Sequence, residues 1–194
     1  MKIRTLALSI TTVLFWGGAG IPVGGSTNTG ELNRLFAERV AEYAALRVEL
    51  PVAAPRLTSN AEQLLADVAR LAAAIRARRA HAKEGELFSA EVATAFRLDI
   101  ARSFARAGER PADVLARNRA ELLPGATRLA VNERFPWQLG ASMPVYLLSD
   151  LPPLPPMLQY RLVERDLVVI DIDAGLVIDI LREALVIDLA TSRD

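Results

Sequence analysis

The sequence predicts an α+β fold. An antiparallel bundle of about four helices comes first, a Pro-rich connector follows, and an antiparallel β-meander of three to four strands packs on the helices. Three observations predict this order. Apolar residues recur at three- and four-residue spacing through residues 26–123. Seven of the eleven prolines fall between Pro124 and Pro156. From Leu158 onward the apolar residues alternate with a period of two.

The chain has 194 residues, of which 52% are hydrophobic and 24% charged, a composition that supports one folded domain. Lys+Arg and Asp+Glu both number 23, so the basic footprint of a nucleic-acid binder is missing and no nucleic-acid partner is expected. Cysteine is absent, which removes disulfides, thiolate metal sites, a thiol nucleophile and a lipoprotein anchor. His81 is the single histidine, so a multi-histidine metal centre is excluded and no cofactor is expected. Only Lys2 and Lys83 among the basic residues are lysine; the Arg and Ala richness fits a GC-rich bacterial genome.

Residues 1–25 read as a signal peptide. Lys2 and Arg4 precede an apolar run from Leu6 to Trp16, and Gly17-Gly18-Ala19-Gly20 then supplies the small side chains that signal peptidase admits. Cleavage fits after Ala19, Gly20 or Gly25. The alternative is an uncleaved anchor over Leu6–Val23, at the lower length limit for a bilayer span and interrupted by Pro22 and glycines. No Arg-Arg pair precedes the run, which favours the general secretion pathway. The mature protein is therefore expected in the periplasm or outside the cell, with no stable membrane span after cleavage.

The helical region spans residues 26–123, beginning with a Gly/Ser/Thr/Asn linker up to Gly30. The first helix is expected from about Glu31 to Leu50, with Leu32, Leu35, Phe36, Val40, Tyr43 and Leu46 on one face. Pro51 and Pro55 end it. Ser59 and Glu62 form a capping box for a second helix that buries Leu64, Leu65, Val68, Leu71 and Ile75 and runs to Gly85. Ser89 caps a third, with Phe88 as a hydrophobic staple, Val92, Phe96, Ile100 and Phe104 inward, and Gly108 as its left-handed stop. Pro111 opens a fourth, with Val114, Leu115 and Leu122 apolar.

Residues 124–157 read as a connector laid over the helices and pinned by Phe135, Trp137 and Tyr146. Leu151-Pro-Pro-Leu-Pro-Pro-Met157 suits extended polyproline II, and a partner-docking PxxP ligand is the competing reading.

Residues 158–194 read as the meander, one domain with the helices. A three-residue loop Asp173-Ala174-Gly175 pairs Ile172 with Leu176, Ile170 with Ile178 and Val168 with Ile180. An odd loop around Glu164-Arg165-Asp166 sets Leu162 opposite Val168 and Tyr160 opposite Ile170, so nine apolar residues share one face. Leu167-Val-Val-Ile-Asp171, Leu176-Val-Ile-Asp179 and Leu185-Val-Ile-Asp188 form a nine-residue repeat, whose third copy reads equally as a fourth strand or a terminal helix.

The stretches Leu151–Pro156, Gln159–Asp171 and Gly175–Ile180, with the helical stretch Ala73–Arg97, resemble an uncharacterised family of exported bacterial proteins. That resemblance implies export and this architecture, and it brings no catalytic residues. The hairpin with Tyr160-Arg161, Asp166-Leu167, Asp171 and Gly175 also resembles the short β-module of periplasmic nickel/cobalt-homeostasis proteins, which implies a role in envelope homeostasis.

Candidate chemistry is sparse. His81 could serve as a general base, but it lies at a basic helix end beside Arg79 and Lys83 with no Ser or Asp next to it in sequence, and it reads as structural or solvent-exposed. Gly140-Ala-Ser142-Met-Pro144 has proline where a nucleophile elbow needs its second glycine. Asp171 and Asp173 resemble the start of a calcium loop but lack its distal carboxylates, and strand alternation puts them on the solvent face. Arg76, Arg79 and Lys83 share a helix face on which an anionic partner would dock, and Trp137 is the aromatic contact.

Charge is also uneven: residues 59–119 hold 11 basic and 8 acidic groups, whereas residues 150–194 hold 4 and 9. The expected role is therefore that of a non-enzymatic cell-envelope protein acting through contacts with an envelope partner. One alternative is a carboxylate-based hydrolase or ligand-binding periplasmic protein. The other is a weak divalent-cation binder using Asp171 and Asp173.

Overall fold

The computed structural model describes residues 27–56, 58–121, 128–139 and 143–185. The expected signal peptide, the Gly140-Ala-Ser142 stretch and the end of the third repeat copy lie outside the described residues. The elements are α1 (Thr27–Glu49), α2 (Ala61–Arg78), α3 (Ala90–Ala107), α4 (Pro111–Glu121), α5 (Val145–Asp150), β1 (Leu158–Val163), β2 (Asp166–Asp171) and β3 (Leu176–Leu181). The strands form one antiparallel sheet in the order β1-β2-β3, so the α+β class and the three-stranded meander hold. No described helix is long and apolar enough to cross a membrane.

The helices follow their caps and stripes. Phe36, Val40 and Tyr43 of α1 are buried, as is Leu50 just beyond its end. In α3 the four expected residues Val92, Phe96, Ile100 and Phe104 are buried, the Ser89 hydroxyl accepts from the Val92 amide, and Gly108 ends the helix at φ +64°. The start of α2 differs from expectation: the Asn60 side chain, not Ser59, accepts the Gln63 amide at 3.1 Å. Asn60 stands one residue nearer the first turn and presents a carbonyl oxygen to it. The helix also stops at Arg78, well before Gly85, because residues 79–89 are turned around a carboxylate from the sheet. Leu65 is 58% exposed, so only the second half of α2 is core.

An aromatic cluster joins helices to sheet. Phe36 lies 5.5 Å from Phe88, 4.7 Å from Phe96 and 6.4 Å from Tyr160 between ring centroids. The connector is not extended throughout: a 3₁₀ turn at Trp137–Leu139 and helix α5 interrupt it. Tyr146 of α5 meets Phe104 edge-on, and Asp150 accepts from Ser103 and Arg106 of α3.

The register departs from the sequence reading by one residue. The β1–β2 turn is the two-residue Glu164-Arg165, with Glu164 at φ +51°, so Leu162 pairs with Leu167 and Tyr160 with Val169. Removing one residue from the turn reverses which face of β2 meets the helices. Leu167, Val169 and Asp171 therefore face the helical core, while Val168 and Ile170 face away. Ile172, expected inside, is 38% exposed.

Val168 does pair with Ile180, but a bulge at Ile178 then shifts Ile170 onto Val177 and Asp171 onto Leu176. The outward face is covered as well. Leu129 and Phe135 of the connector pack on Val163, Val168, Ile170, Val177 and Ile180 as a second core. Backbone bonds hold that cover on β3: Asn132 N to Val177 O at 2.9 Å, Val177 N to Glu133 O at 3.0 Å and Phe135 N to Gly175 O at 2.8 Å.

Candidate functional site

The strongest candidate is an open cleft of about 640 Å³ between α1, the end of α2 and the loop that follows. Leu35, Leu46 and Leu87 give it an apolar lining, and Tyr43 and Arg79 are the buried groups at its base. The α1 wall presents Glu38, Arg39 and Glu42; Arg78 and His81 stand across from it.

Beneath the cleft runs a buried polar network. The Arg79 guanidinium lies 5.3 Å from the Tyr43 ring centroid. The Tyr43 hydroxyl donates to Asp171 Oδ2 at 2.8 Å, and Arg47 Nε donates to the same oxygen at 2.8 Å. Arg47 Nη2 reaches Asp173 at 3.2 Å, and the Ala174 amide donates to Asp171 Oδ1 at 2.9 Å. Burial, reinforced by Asp171, pushes the Tyr43 phenol far up, so it stays a neutral donor. Burial and the neighbouring Asp171 also raise the Asp173 carboxyl against the opposing pull of Arg47.

Strand alternation placed Asp171 on the solvent face; the turn parity instead aims it at α1, where it is fully buried. The Arg47 guanidinium bonds both Asp171 and Asp173, and no group of three or more metal-type side chains occurs among the described residues.

Asp179 is the second buried carboxylate. The bulge at Ile178 turns it toward the helices, where Oδ2 accepts the amides of Leu87 and Phe88 at 2.7 and 2.9 Å. Oδ1 accepts those of Gly85 and Ile180 at 2.9 and 2.8 Å. Burial pushes its carboxyl up, and the four amide bonds pull it part of the way back. A carboxylate has about four acceptor sites. All are filled, so Asp179 serves as the post around which residues 85–88 wrap rather than as an acid–base group.

The basic residues of α2 are divided. Arg79 is buried, donating to Glu86 at 2.9 Å, to the Ile178 carbonyl at 2.9 Å and to the Asn132 side chain at 3.2 Å. Arg76 Nε donates to the Asn132 carbonyl at 2.8 Å. These two hold the connector rather than presenting one free face with Lys83, which lies beyond the helix end. Lys83 and His81 are exposed.

Trp137 is 44% exposed, meets Phe135 edge-on at 5.5 Å, and has Arg161 over its ring at 5.9 Å. Its indole nitrogen sits 3.8 Å from where a Cβ on Gly175 would be. Arg161 forms no ion pair among the described residues; Nη2 donates to Gln159, and Nε is buried without a partner.

Two groups escaped the sequence reading. Arg47 continues the α1 stripe at Tyr43+4, a charged residue in a core position, and that spacing was the available signal. Asp179 carried no signal, because a bulge reverses the side on which a strand residue falls. No protein-family model, curated protein or solved structure matches this chain.

Proposed function

We propose that this is an exported protein of the bacterial cell envelope, periplasmic or secreted, that acts through contact with another protein and not through catalysis. The observation that supports this reading is the Trp137–Arg161 surface. A half-exposed indole braced by Phe135 and the hairpin turn, beside a guanidinium with no carboxylate among the described residues, has the composition of an interface anchor. Tryptophan and arginine dominate binding hot spots because a rigid ring and a planar cation lose little entropy per contact. The partner is expected to set a carboxylate against Arg161 beside an apolar side chain.

The test is fractionation of cells making the full chain, then mild crosslinking and recovery from the envelope fraction. The expected result is a shortened mature protein outside the cytoplasm with one stoichiometric partner, lost with Trp137→Ala and with Arg161→Glu but kept with Lys83→Glu. A full-length cytoplasmic protein would refute export. A partner retained by both the Trp137 and Arg161 variants would refute the surface.

A further inference from the structure

We infer that the cleft between α1 and α2 is a binding site for a small zwitterion, an α-amino acid with an apolar side chain. Most of the charged groups lining it already have partners. Glu38 is bonded to Arg34, Arg78 to Glu49, and Glu86 to both Arg79 and the Lys83 amide. Three remain. Glu42 and His81 make no hydrogen bond among the described residues. Arg39 has no carboxylate within ion-pair distance there and spends one nitrogen on the carbonyl oxygens of Gly85 and Glu86. Its remaining donors make no hydrogen bond among the described residues.

Arg39 and Glu42 are three residues apart on one face of α1, so their Cβ atoms stand about 5–6 Å apart. Opposite charges at that spacing would ordinarily pair, yet here Arg39 is drawn toward the loop and leaves Glu42 alone. An α-amino acid carries its carboxylate and its ammonium on adjacent atoms. It can therefore satisfy both groups at once, the carboxylate against Arg39 and the ammonium against Glu42. Leu35 stands one turn before Arg39 and Leu46 one turn after Glu42 on the same helix face, and the apolar side chain packs on one of these two, with His81 also lining the cleft. The lining mixes leucines with charged side chains, and four of those, Glu38, Arg78, Arg79 and Glu86, are already paired, so only a few polar groups are left to fix the orientation of a ligand. The cleft volume of about 640 Å³ accommodates such a ligand with room to spare. A simple anion or a simple amine would satisfy one of the two charges and strand the other.

Calorimetric titration of the mature chain with L-leucine, L-methionine and L-phenylalanine tests this, followed by N-acetyl-L-leucine and L-leucinamide, which each remove one charge. The expected result is binding of at least one free amino acid. Each capped form of leucine then binds at least about tenfold more weakly, as does the free amino acid to Glu42→Gln. Glu42 is exposed and unbonded, so that variant keeps its fold. No heat from any of the three amino acids, equal binding of the capped forms, or unchanged affinity in Glu42→Gln would each overturn the inference. Trp137→Ala leaves amino-acid affinity unchanged, so this outcome is independent of the partner surface.

Discussion

Arg47 and Tyr43 hold the same carboxylate oxygen, but their removal has very different consequences. The Asp171 side chain is fully buried and Arg47 is its charge partner. Arg47→Met would leave an uncompensated anion in the core, at a cost of about 3–5 kcal/mol. Tyr43→Phe keeps the ring beneath Arg79 and leaves Asp171 bonded to Arg47 and the Ala174 amide. Its expected cost is that of one hydrogen bond to a charged group, about 1.5–3 kcal/mol. Urea midpoints for the two variants should fall in that order; a larger loss in Tyr43→Phe would mean that the phenol, not the guanidinium, neutralises Asp171.

Asp179 carries a distinct pH signature. Burial sets its folded-state carboxyl above the unfolded value, about 3.9 for aspartate. The native state therefore binds the proton more tightly. Its contribution to stability declines as pH rises from the unfolded value to the raised folded one, and is level beyond it. Asp179→Asn abolishes that slope. It also turns an NH₂ toward amide donors that need an acceptor, costing about 1–3 kcal/mol near neutral pH. Denaturation at several pH values from about 4 to 8 should show lower overall stability, with the deficit against the unaltered chain shrinking as pH rises.

At the scale of elements, the helices were legible and the sheet's orientation was not. The caps at Ser89 and Gly108 and the stripe of α3 are local signals, and each acts as read. At Gly108 nothing lies within 4 Å of an added Cβ, so Gly108→Ala meets only the backbone penalty of φ +64°. The expected loss is about 1–2 kcal/mol, read as a lowered melting temperature.

The β-strands alternate as expected, but their apolar residues occur on both parities, as in Leu167-Val168-Val169-Ile170. Such a run does not say which face meets the helices. One residue of turn length decided it, and the conformation of Glu164 that permits the shorter turn is rare for a non-glycine residue. The second core was hidden for a related reason: its cover, Leu129 and Phe135, is irregular chain without period. The candidate site was legible only in part, since Arg79 and Trp137 stood out by type, while Arg39 and Glu42 look like any solvated helix pair until the loop draws one away. Phe135→Ala should cost about 3–5 kcal/mol. That is a core loss, far above the near-zero effect expected of a linker residue, and a chemical melt distinguishes the two.

For the whole molecule, the sheet is the middle of three layers, with helices on one face and the connector on the other. Every residue of β3, and all of β2 except Asp166, is buried. Arg182 ties the layers together at one end, bonding Glu84 beyond α2, Asp166 at the β1–β2 turn and the Leu129 carbonyl of the connector. Opening β2 therefore requires both cores to separate, so its amides should exchange only through global unfolding. The first half of α2 is the opposite case. Its buried residues Leu71, Ala72 and Ile75 all lie in the second half, leaving Asn60 as the main hold on residues 61–68. Amides within that half should exchange by local fraying, with protection orders of magnitude below β2. Asn60→Ala should lower it further while β2 protection shifts only by the global loss, about 1 kcal/mol or less. Hydrogen exchange read by mass spectrometry resolves the two segments. Equal protection in both would mean that α2 is held along its whole length; the expected contrast confines fraying to residues 61–68, away from the cleft, whose walls come from α1, the end of α2 and the loop that follows, posted on Asp179.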